Sequence, residues 1–125
     1  MTQLLYIALG GALGALGRFG VSLAVLRYAG GGFPWGTLAV NVIGSFLAGV
    51  FWAILGQTHG PQRMHALFMI GMLGAFTTFS AFSVESLRLY EDGQSLMALV
   101  NVFANNLGAL AAVVAGVWVG RSLSA

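Results

Sequence analysis

The sequence Gly74-Ala-Phe-Thr-Thr-Phe-Ser-Ala-Phe-Ser83 stands in the middle of a long hydrophobic segment and decides how the rest of the chain is interpreted. Its adjacent β-branched residues Thr77 and Thr78, with Ser80 and Ser83, offer the backbone local hydrogen bonds that compete with those of a helix. Irregular backbone at membrane depth is tolerated only where protein buries it or where it lines a watery cavity. We therefore predict a break in a membrane-spanning helix near the bilayer midplane, with a site for a small ion beside it.

The composition of the whole chain is that of an integral membrane protein. Of its 125 residues, 58% are hydrophobic and only 6% are charged, and the mean hydropathy is +0.90. All five basic residues are arginines, and they are spread too thinly along the chain to form a nucleic-acid-binding surface. We predict a multi-pass protein of the inner (plasma) membrane that binds no nucleic acid and is not an enzyme.

The hydrophobic segments predict an all-α protein, with residues 1–125 forming a single transmembrane domain of four spans. A helix needs roughly 20 apolar residues to cross the hydrocarbon of a bilayer. The predicted spans are 4–26, 35–55, 64–89 and 96–119, with the break in the third span and both termini on one side of the membrane. Glycine pairs at Gly10-xxx-Gly14 and Gly116-xxx-Gly120 predict close helix contacts in the first and last spans.

Polar residues recur on one face of the second and fourth spans, where hydrocarbon would penalise them unless they were hydrogen-bonded. Thr37, Asn41 and Ser45 recur every four residues in the second span, and Asn101 and Asn105 do the same in the fourth. For Asn41 two interpretations stay open: an amide that clasps a neighbouring helix, or a hydrogen-bond donor that lines a polar pathway.

The few ionisable residues within or beside the spans also have two interpretations. A charge such as Arg18 costs roughly 2.5 to 3.5 kcal/mol at the centre of a membrane helix, so its side chain either reaches the headgroups or faces a water-filled vestibule. Glu85 and Arg88 are spaced by three and are predicted to pair near the membrane surface. His59 and His65 have no partner at metal-ligand spacing, so we expect them to be loop or interface residues.

The arginines are divided almost evenly between the two sides of a four-span protein. One side holds Arg63, Arg121 and the N-terminal amine, and the other holds Arg27 and Arg88, with Arg18 embedded nearer the second side. Orientation follows the arginine and lysine asymmetry of short loops, so this chain is predicted to insert both ways. Four spans also enclose a polar pathway poorly, and we expect two oppositely inserted copies to form an antiparallel homodimer in the lipid bilayer.

Three motifs lie on the first three spans in a distinctive order. They are Gly14-Ala-Leu-Gly-Arg18, Pro34-Trp-Gly-Thr-Leu-Ala-Val-Asn41-Val-Ile-Gly44 and Gly74-xx-Thr-Thr-Phe-Ser-x-Phe-Ser83. Together they resemble the small dual-topology fluoride channels, the Fluc (CrcB-type) family, over nearly the whole chain. The resemblance implies a fluoride-selective channel for passive fluoride efflux and fluoride resistance, built as an antiparallel homodimer with two fluoride pathways and one structural sodium ion.

The resemblance further implies roles for individual residues. The backbone carbonyls of Gly74 and Thr77 would hold the sodium ion, and the ring edges of Phe79 and Phe82 would line the fluoride pathways. Arg18 would lie in the vestibule. Polar contacts along the pathway are expected from six residues: Asn41, Ser80, Thr37, Thr78, Asn101 and Asn105. The last two stand on the polar face of the fourth span, where the family often has a tyrosine and a serine.

Two other classes of membrane protein are considered. A small dual-topology multidrug or cation transporter would also have four helices, but proton-coupled exchange needs a membrane-embedded carboxylate, and Glu85 lies well past the midpoint of its span. A purely structural membrane-interaction protein would account for the glycines but not for the polar helix faces. The channel is the interpretation that accounts for both.

The arginine balance generates a prediction about insertion. Reporter fusions at the C-terminus should detect both cytoplasmic and external locations, because neither side of the protein holds a decisive excess of positive charge. Two lysines added beside Arg63 should bias the population toward one orientation. A single orientation of the unmodified chain would contradict the prediction.

Overall fold

The computed structural model describes residues 1–58 and 61–125, which contain helices and no strands. Four helical segments of this part of the chain are long and apolar enough to cross a membrane. They are Thr2–Ala29, Trp35–Gly56, Gln62–Glu91 and Ser95–Ser124. The prediction of an all-α membrane protein with four spans is confirmed, while the expectation for His59 falls outside the described residues.

Three of the spans are continuous helices and the third is interrupted. Helix α1 covers Thr2–Ala29, α2 covers Trp35–Thr58 and α6 covers Ser95–Ser124. The third span consists of α3 (Gln62–His65), a π-helical segment (Ala66–Leu73), α4 (Gly74–Phe76) and α5 (Phe79–Glu91). Each span therefore extends a few residues beyond at least one of the boundaries suggested by hydropathy.

The interruption lies between α4 and α5, at the two adjacent threonines. Thr77 has φ −81° and ψ 159°, and Thr78 has φ −149° and ψ 118°, so both residues are extended. Thr78 then caps α5, because its hydroxyl oxygen accepts the N–H of Ala81 at 3.1 Å. The predicted break is confirmed at the residues that carry the competing hydroxyl groups.

The first half of the third span packs along α1 through glycines on both elements. A Cβ on Gly10 or Gly14 would overlap the backbone carbonyl oxygen of Leu67 or of Met72, respectively. On the opposite side, a Cβ on Gly71 would lie 2.6 Å from the carbonyl oxygen of Ile7. The close contact predicted for the Gly10-xxx-Gly14 pair is confirmed, and the helix it meets is π-helical, a wider form that sequence analysis does not predict.

Helices α2 and α6 form the other close contact and pack along each other more extensively than any other pair of elements. A Cβ on Gly49 would overlap the Val113 carbonyl oxygen, and one on Gly116 would overlap that of Phe46. A Cβ on Gly120 would lie 2.7 Å from the Cβ of Ala53. The contact predicted for the Gly116-xxx-Gly120 pair is confirmed, and it places the polar faces of α2 and α6 against each other beside α5.

Candidate functional site

The break in the third span is held by one side chain from α2. The Oδ1 atom of Asn41 accepts the backbone N–H of Thr78 at 2.8 Å, and its Nδ2 atom donates to the Thr78 carbonyl oxygen at 3.0 Å. Asn41 and Thr78 are both buried. The amide therefore pairs with both backbone groups of an extended residue, much as a neighbouring strand would.

This arrangement redirects two backbone donors away from the helical ladder. In a continuous α-helix each N–H bonds the carbonyl four residues earlier, so Thr78 would bond Gly74 and Ala81 would bond Thr77. Here Thr78 donates to Asn41 instead, and Ala81 donates to the side chain of Thr78. The carbonyls of Gly74 and Thr77 thereby lose their helical donors, and they are the two that the family resemblance assigns to sodium. Neutral carbonyl oxygens released in this way fit a small hard cation.

A chain of buried amides continues from Asn41 toward α5. Asn41 donates through Nδ2 to Asn105 Oδ1 at 2.9 Å, and Asn105 donates to the carbonyl oxygen and Oδ1 of Asn101 at 3.0 and 2.9 Å. Asn101, which is 0% exposed, donates to Ser86 Oγ at 2.9 Å, and Ser86 donates to the Phe82 carbonyl oxygen at 2.8 Å. The bonds offset the cost of burying amides and connect α2, α6 and α5.

Ser86 belongs to this network but was not among the predicted site residues. The signal was the spacing of Phe82, Ser86 and Leu89, which places them on one helical face that contacts α6, with both hydrophobic members buried. Ser83, which belongs to the decisive stretch, is instead exposed and bonds the Phe79 carbonyl of its own helix at 2.9 Å. The two serines have the same side chain, and they differ in the face of α5 on which they lie: Ser86 faces α6, whereas Ser83 is exposed.

A cavity of about 340 Å³ lies beside the break, between α2, α5 and α6. It brings together five predicted pathway residues: Asn41, Thr78, Phe79, Phe82 and Asn105. The rings of Phe79 and Phe82 are 5.3 Å apart between centroids and inclined by 57°. Phe82 is 7% exposed and Phe79 is 76% exposed, so one ring belongs to the core of the chain and the other projects from it.

Phe76 does not join these two rings, although its spacing by three would place it on their face in an unbroken helix. The break separates Phe76 from Phe79, and the Phe76 ring lies beside Gly17 of α1 and Gly44 of α2. The aromatic pair of the cavity therefore comes entirely from α5.

A second cavity, of about 970 Å³, lies on the other side of Thr78, which lines both cavities. Three predicted site residues besides Thr78 line it: Arg18, Thr37 and Ser80. Arg88 lines it as well, so two guanidinium groups share this cavity. Arg18 thus lines a cavity, and its role in a vestibule stays a prediction.

Glu85 lines the second cavity but does not make the predicted ion pair. Its Oε1 atom accepts the hydroxyl of Thr37 at 2.9 Å, and within residues 1–58 and 61–125 it forms no salt bridge with Arg88. The local spacing rule gave the wrong partner because α2 supplies a donor from across the cavity. The Oε2 atom is buried and has no hydrogen-bond partner in the part of the chain that the structure describes.

The hydrogen bonds determine which donors a guest anion could use. Both N–H groups of Asn41 and both of Asn105 already have acceptors in the network. The Thr78 and Ser80 hydroxyls are only loosely paired, 3.4 Å apart, and Ser80 is exposed. Hydroxyls at the break are therefore the donors that an anion could bind at the lowest cost.

The chain is similar to known proteins over most of its length. Residues 5–117 match the model of the family described as "CrcB-like protein, Camphor Resistance (CrcB)". A protein of Magnetococcus marinus named fluoride-specific ion channel FluC is 43% identical over 120 residues, which cover 95% of this chain and 98% of the relative. A protein of Hahella chejuensis with the same name is 46% identical over 116 residues, which cover 92% of this chain and 91% of the relative.

The geometry around Asn41 generates a prediction about its replacement by an acid. Asn41→Asp keeps an acceptor for the Thr78 N–H but turns the Nδ2 donor into an anionic oxygen that faces the Thr78 carbonyl and Asn105 Oδ1. Fluoride efflux should fall to background, since an acid adds negative charge beside an anion pathway and loses both donated bonds. Liposome efflux measures the first effect, and size-exclusion chromatography checks that the assembly survives.

Asn106→Asp is the matched control for that variant. Asn106 lines the same cavity and is exposed, and its side chain donates to the Val102 carbonyl of its own helix. Its replacement therefore adds the same charge to the cavity without removing a bond to the break. Efflux through Asn106→Asp should exceed efflux through Asn41→Asp by a wide margin. Undiminished efflux through Asn41→Asp would leave Asn41 with the clasp role alone.

Proposed function

The chain belongs to the CrcB-like family, and from that premise we propose that it is a fluoride-specific ion channel through which fluoride leaves the cell passively, conferring fluoride resistance. The observation that carries the proposal is the cavity at the helix break, where phenylalanine rings, threonine hydroxyls and amides meet at membrane depth. The protein is a multi-pass membrane protein, and an open cavity with hydroxyl and amide groups among its apolar lining is a feature that a lipid-facing helix bundle would not need.

The residue types in the cavity suit fluoride. Fluoride is small, strongly hydrated and a strong hydrogen-bond acceptor, so a selective pathway must replace its water with compact donors. The hydroxyls of Thr78 and Ser80 are such donors, and they are only loosely engaged within the protein. The positive ring edges of Phe79 and Phe82 attract an anion less strongly than a guanidinium group does. Conduction requires this combination, because an ion that is held tightly does not leave.

The two cavities suggest the route. Fluoride enters the larger cavity, where the guanidinium groups of Arg18 and Arg88 attract an anion and the carboxyl groups of Glu85 and Asp92 oppose it. It then passes the hydroxyls of Ser80 and Thr78, since Thr78 lines both cavities, and reaches the Phe79 and Phe82 rings.

Asn41 contributes to this route in two ways. Its pair of bonds to Thr78 holds the break, and its bond to Asn105 is the one that can be exchanged for fluoride without releasing the extended backbone. In this proposal Asn41 has both of the roles considered for it. Its Oδ1 atom and one N–H clasp Thr78, and its other N–H is the donor for fluoride.

The direct test of the proposal is anion efflux from liposomes that contain the purified protein. Fluoride should leave rapidly and chloride should be retained. Chloride is larger than fluoride and accepts hydrogen bonds more weakly, so the donors of the pathway replace its water less well. Protein-free liposomes give the background rate for each anion. Equal leakage of both anions, or leakage of neither, would reject the channel.

The break also supports a proposal about assembly. Gly74 and Phe79 are both exposed on the single chain at membrane depth, and hydrocarbon cannot hydrogen-bond the carbonyls released at the break. We propose that an antiparallel second copy covers this surface. The near-even arginine distribution supports the antiparallel arrangement, since it lets one sequence insert in both orientations.

In this assembly the carbonyls of Gly74 and Thr77 from both copies would hold one structural sodium ion. The support is that Asn41 and the Thr78 hydroxyl take the N–H groups that would otherwise satisfy those carbonyls. Neutral carbonyls provide a weaker field than the carboxylates that divalent ions normally recruit, so a monovalent ion is the better match. A sodium ion bound there supplies positive charge close to the phenylalanine pair.

Removal of sodium tests this part of the proposal. Purified protein transferred into N-methyl-D-glucamine buffers should lose fluoride efflux and regain it when sodium is restored on either side of the membrane. The thermal unfolding midpoint should fall in parallel, because an ion bound only by the folded assembly stabilises it. Fluoride efflux and unfolding that both ignore sodium would reject the carbonyl site while leaving the channel itself intact.

A further inference from the structure

Gly44 on α2 occupies a position where no other residue fits beside the break. It is buried, and a Cβ placed on it would overlap the Cγ2 methyl of Thr77 and lie 3.1 Å from Cδ1 of Phe76. Gly44 comes three residues after Asn41 and therefore faces the third span from the same side of α2. The Thr77 methyl group fills the space that a side chain at position 44 would need.

Thr77 cannot easily move its methyl elsewhere. A β-branched side chain has few χ1 choices, and the Thr77 hydroxyl is committed to the Leu73 carbonyl oxygen at 3.0 Å. The backbone N–H of Thr77 donates to the same oxygen at 3.1 Å. Rotation of χ1 would break the first bond, and displacement of the backbone would strain the second. Any group added at Gly44 therefore pushes on the Cα that carries the Thr77 carbonyl.

We propose that Gly44 is a positioning residue for the ion site at the break. It fixes the location of Thr77, and thereby the Thr77 carbonyl, by leaving room for one methyl group and nothing more. Asn41 fixes Thr78 through hydrogen bonds, so α2 positions both extended residues, one by donors and acceptors and the other by shape. This inference rests on the sodium site proposed above and assigns to the site a residue that lies outside its ligand set.

Other glycines of α2 provide matched comparisons. A Cβ on Gly49 would overlap backbone atoms of α6, so Gly49→Ala should disturb the α2–α6 contact and leave the break alone. A Cβ on Gly56 would meet nothing within 4 Å. The same substitution can therefore be compared in three surroundings: beside the break at Gly44, at a helix contact at Gly49 and in open space at Gly56.

The experiment is a sodium titration of the thermal unfolding midpoint of the purified full-length protein, with N-methyl-D-glucamine replacing sodium. Gly44→Ala should raise the sodium concentration that gives half of the stabilisation by about tenfold or more, since overpacking at the ligand-bearing residue weakens the site. Gly49→Ala should lower the unfolding midpoint at every sodium concentration without shifting that half-point. Gly56→Ala should leave the half-point unchanged and raise the unfolding midpoint slightly at every sodium concentration, because alanine favours a helix more than glycine does.

A second substitution separates positioning from general damage. Thr77→Ser removes the Cγ2 methyl that the new Cβ would strike and retains the hydroxyl that bonds Leu73. The half-point of Gly44→Ala/Thr77→Ser should therefore equal that of Thr77→Ser alone, a non-additive result of the kind expected for residues in contact. If Gly44→Ala does not fold, the double variant should fold and show the Thr77→Ser half-point.

Three results would overturn the inference. The first is a Gly44→Ala half-point equal to that of the unmodified protein, and the second is a double variant that keeps the full shift or remains unfolded. The third is an unmodified protein whose unfolding ignores sodium, which rejects the sodium site and this inference with it. Fluoride efflux, measured separately, shows whether the channel proposal stands in each case.

Discussion

Backbone N–H and C=O groups inside a bilayer have no water to bond, and the arrangement at Thr77 and Thr78 depends on that constraint. Two extended residues in the middle of a span expose backbone groups that a helix would have satisfied. Asn41 satisfies both groups of Thr78, and the Thr78 hydroxyl satisfies the N–H of Ala81. Because one side chain of α2, Asn41, satisfies both backbone groups of Thr78, the break is stable only while α2 stays beside the third span.

The glycine contacts provide the stiffness that such a break requires. Helix α1 lies against the π-helical segment, and α2 lies against α6, at distances that allow no side chain at the contact points. Backbones this close cannot slide past each other unless they first move apart. The two halves of the third span are held by different neighbours. The first half belongs with α1, whereas α5 packs mainly on α6. The break is the joint between these two packed units, and the predicted ion ligands lie at that joint.

The break, the polar faces and the close glycine contacts could be predicted from the sequence, because each of these follows from local residue types and spacing. The partner of Glu85 could not be predicted in this way, since the i, i+3 rule considers only neighbours on one helix while Thr37 donates to Glu85 from α2. The two-point pairing of Asn41 with Thr78 joins residues 37 apart in the chain and depends on how two helices pack, which spacing does not encode. The π-helical segment was also not predicted, because no residue type in Ala66–Leu73 marks it.

The amide network has a direction. Asn41, Asn105, Asn101 and Ser86 each donate to the next member, and Asn41 donates to the Thr78 carbonyl oxygen as well. The Thr78 N–H can only donate and the Thr78 carbonyl can only accept, so together they determine which end of the Asn41 amide is oxygen and which is nitrogen. The second N–H of Asn41 then meets the Asn105 oxygen, and the same choice passes along the row. Reversing one amide would leave two donors or two acceptors in opposition, so the row can reverse only as a unit. The backbone N–H and C=O of one extended residue thus set the direction of a row of uncharged side chains, which orders three helices without an ion pair among these residues.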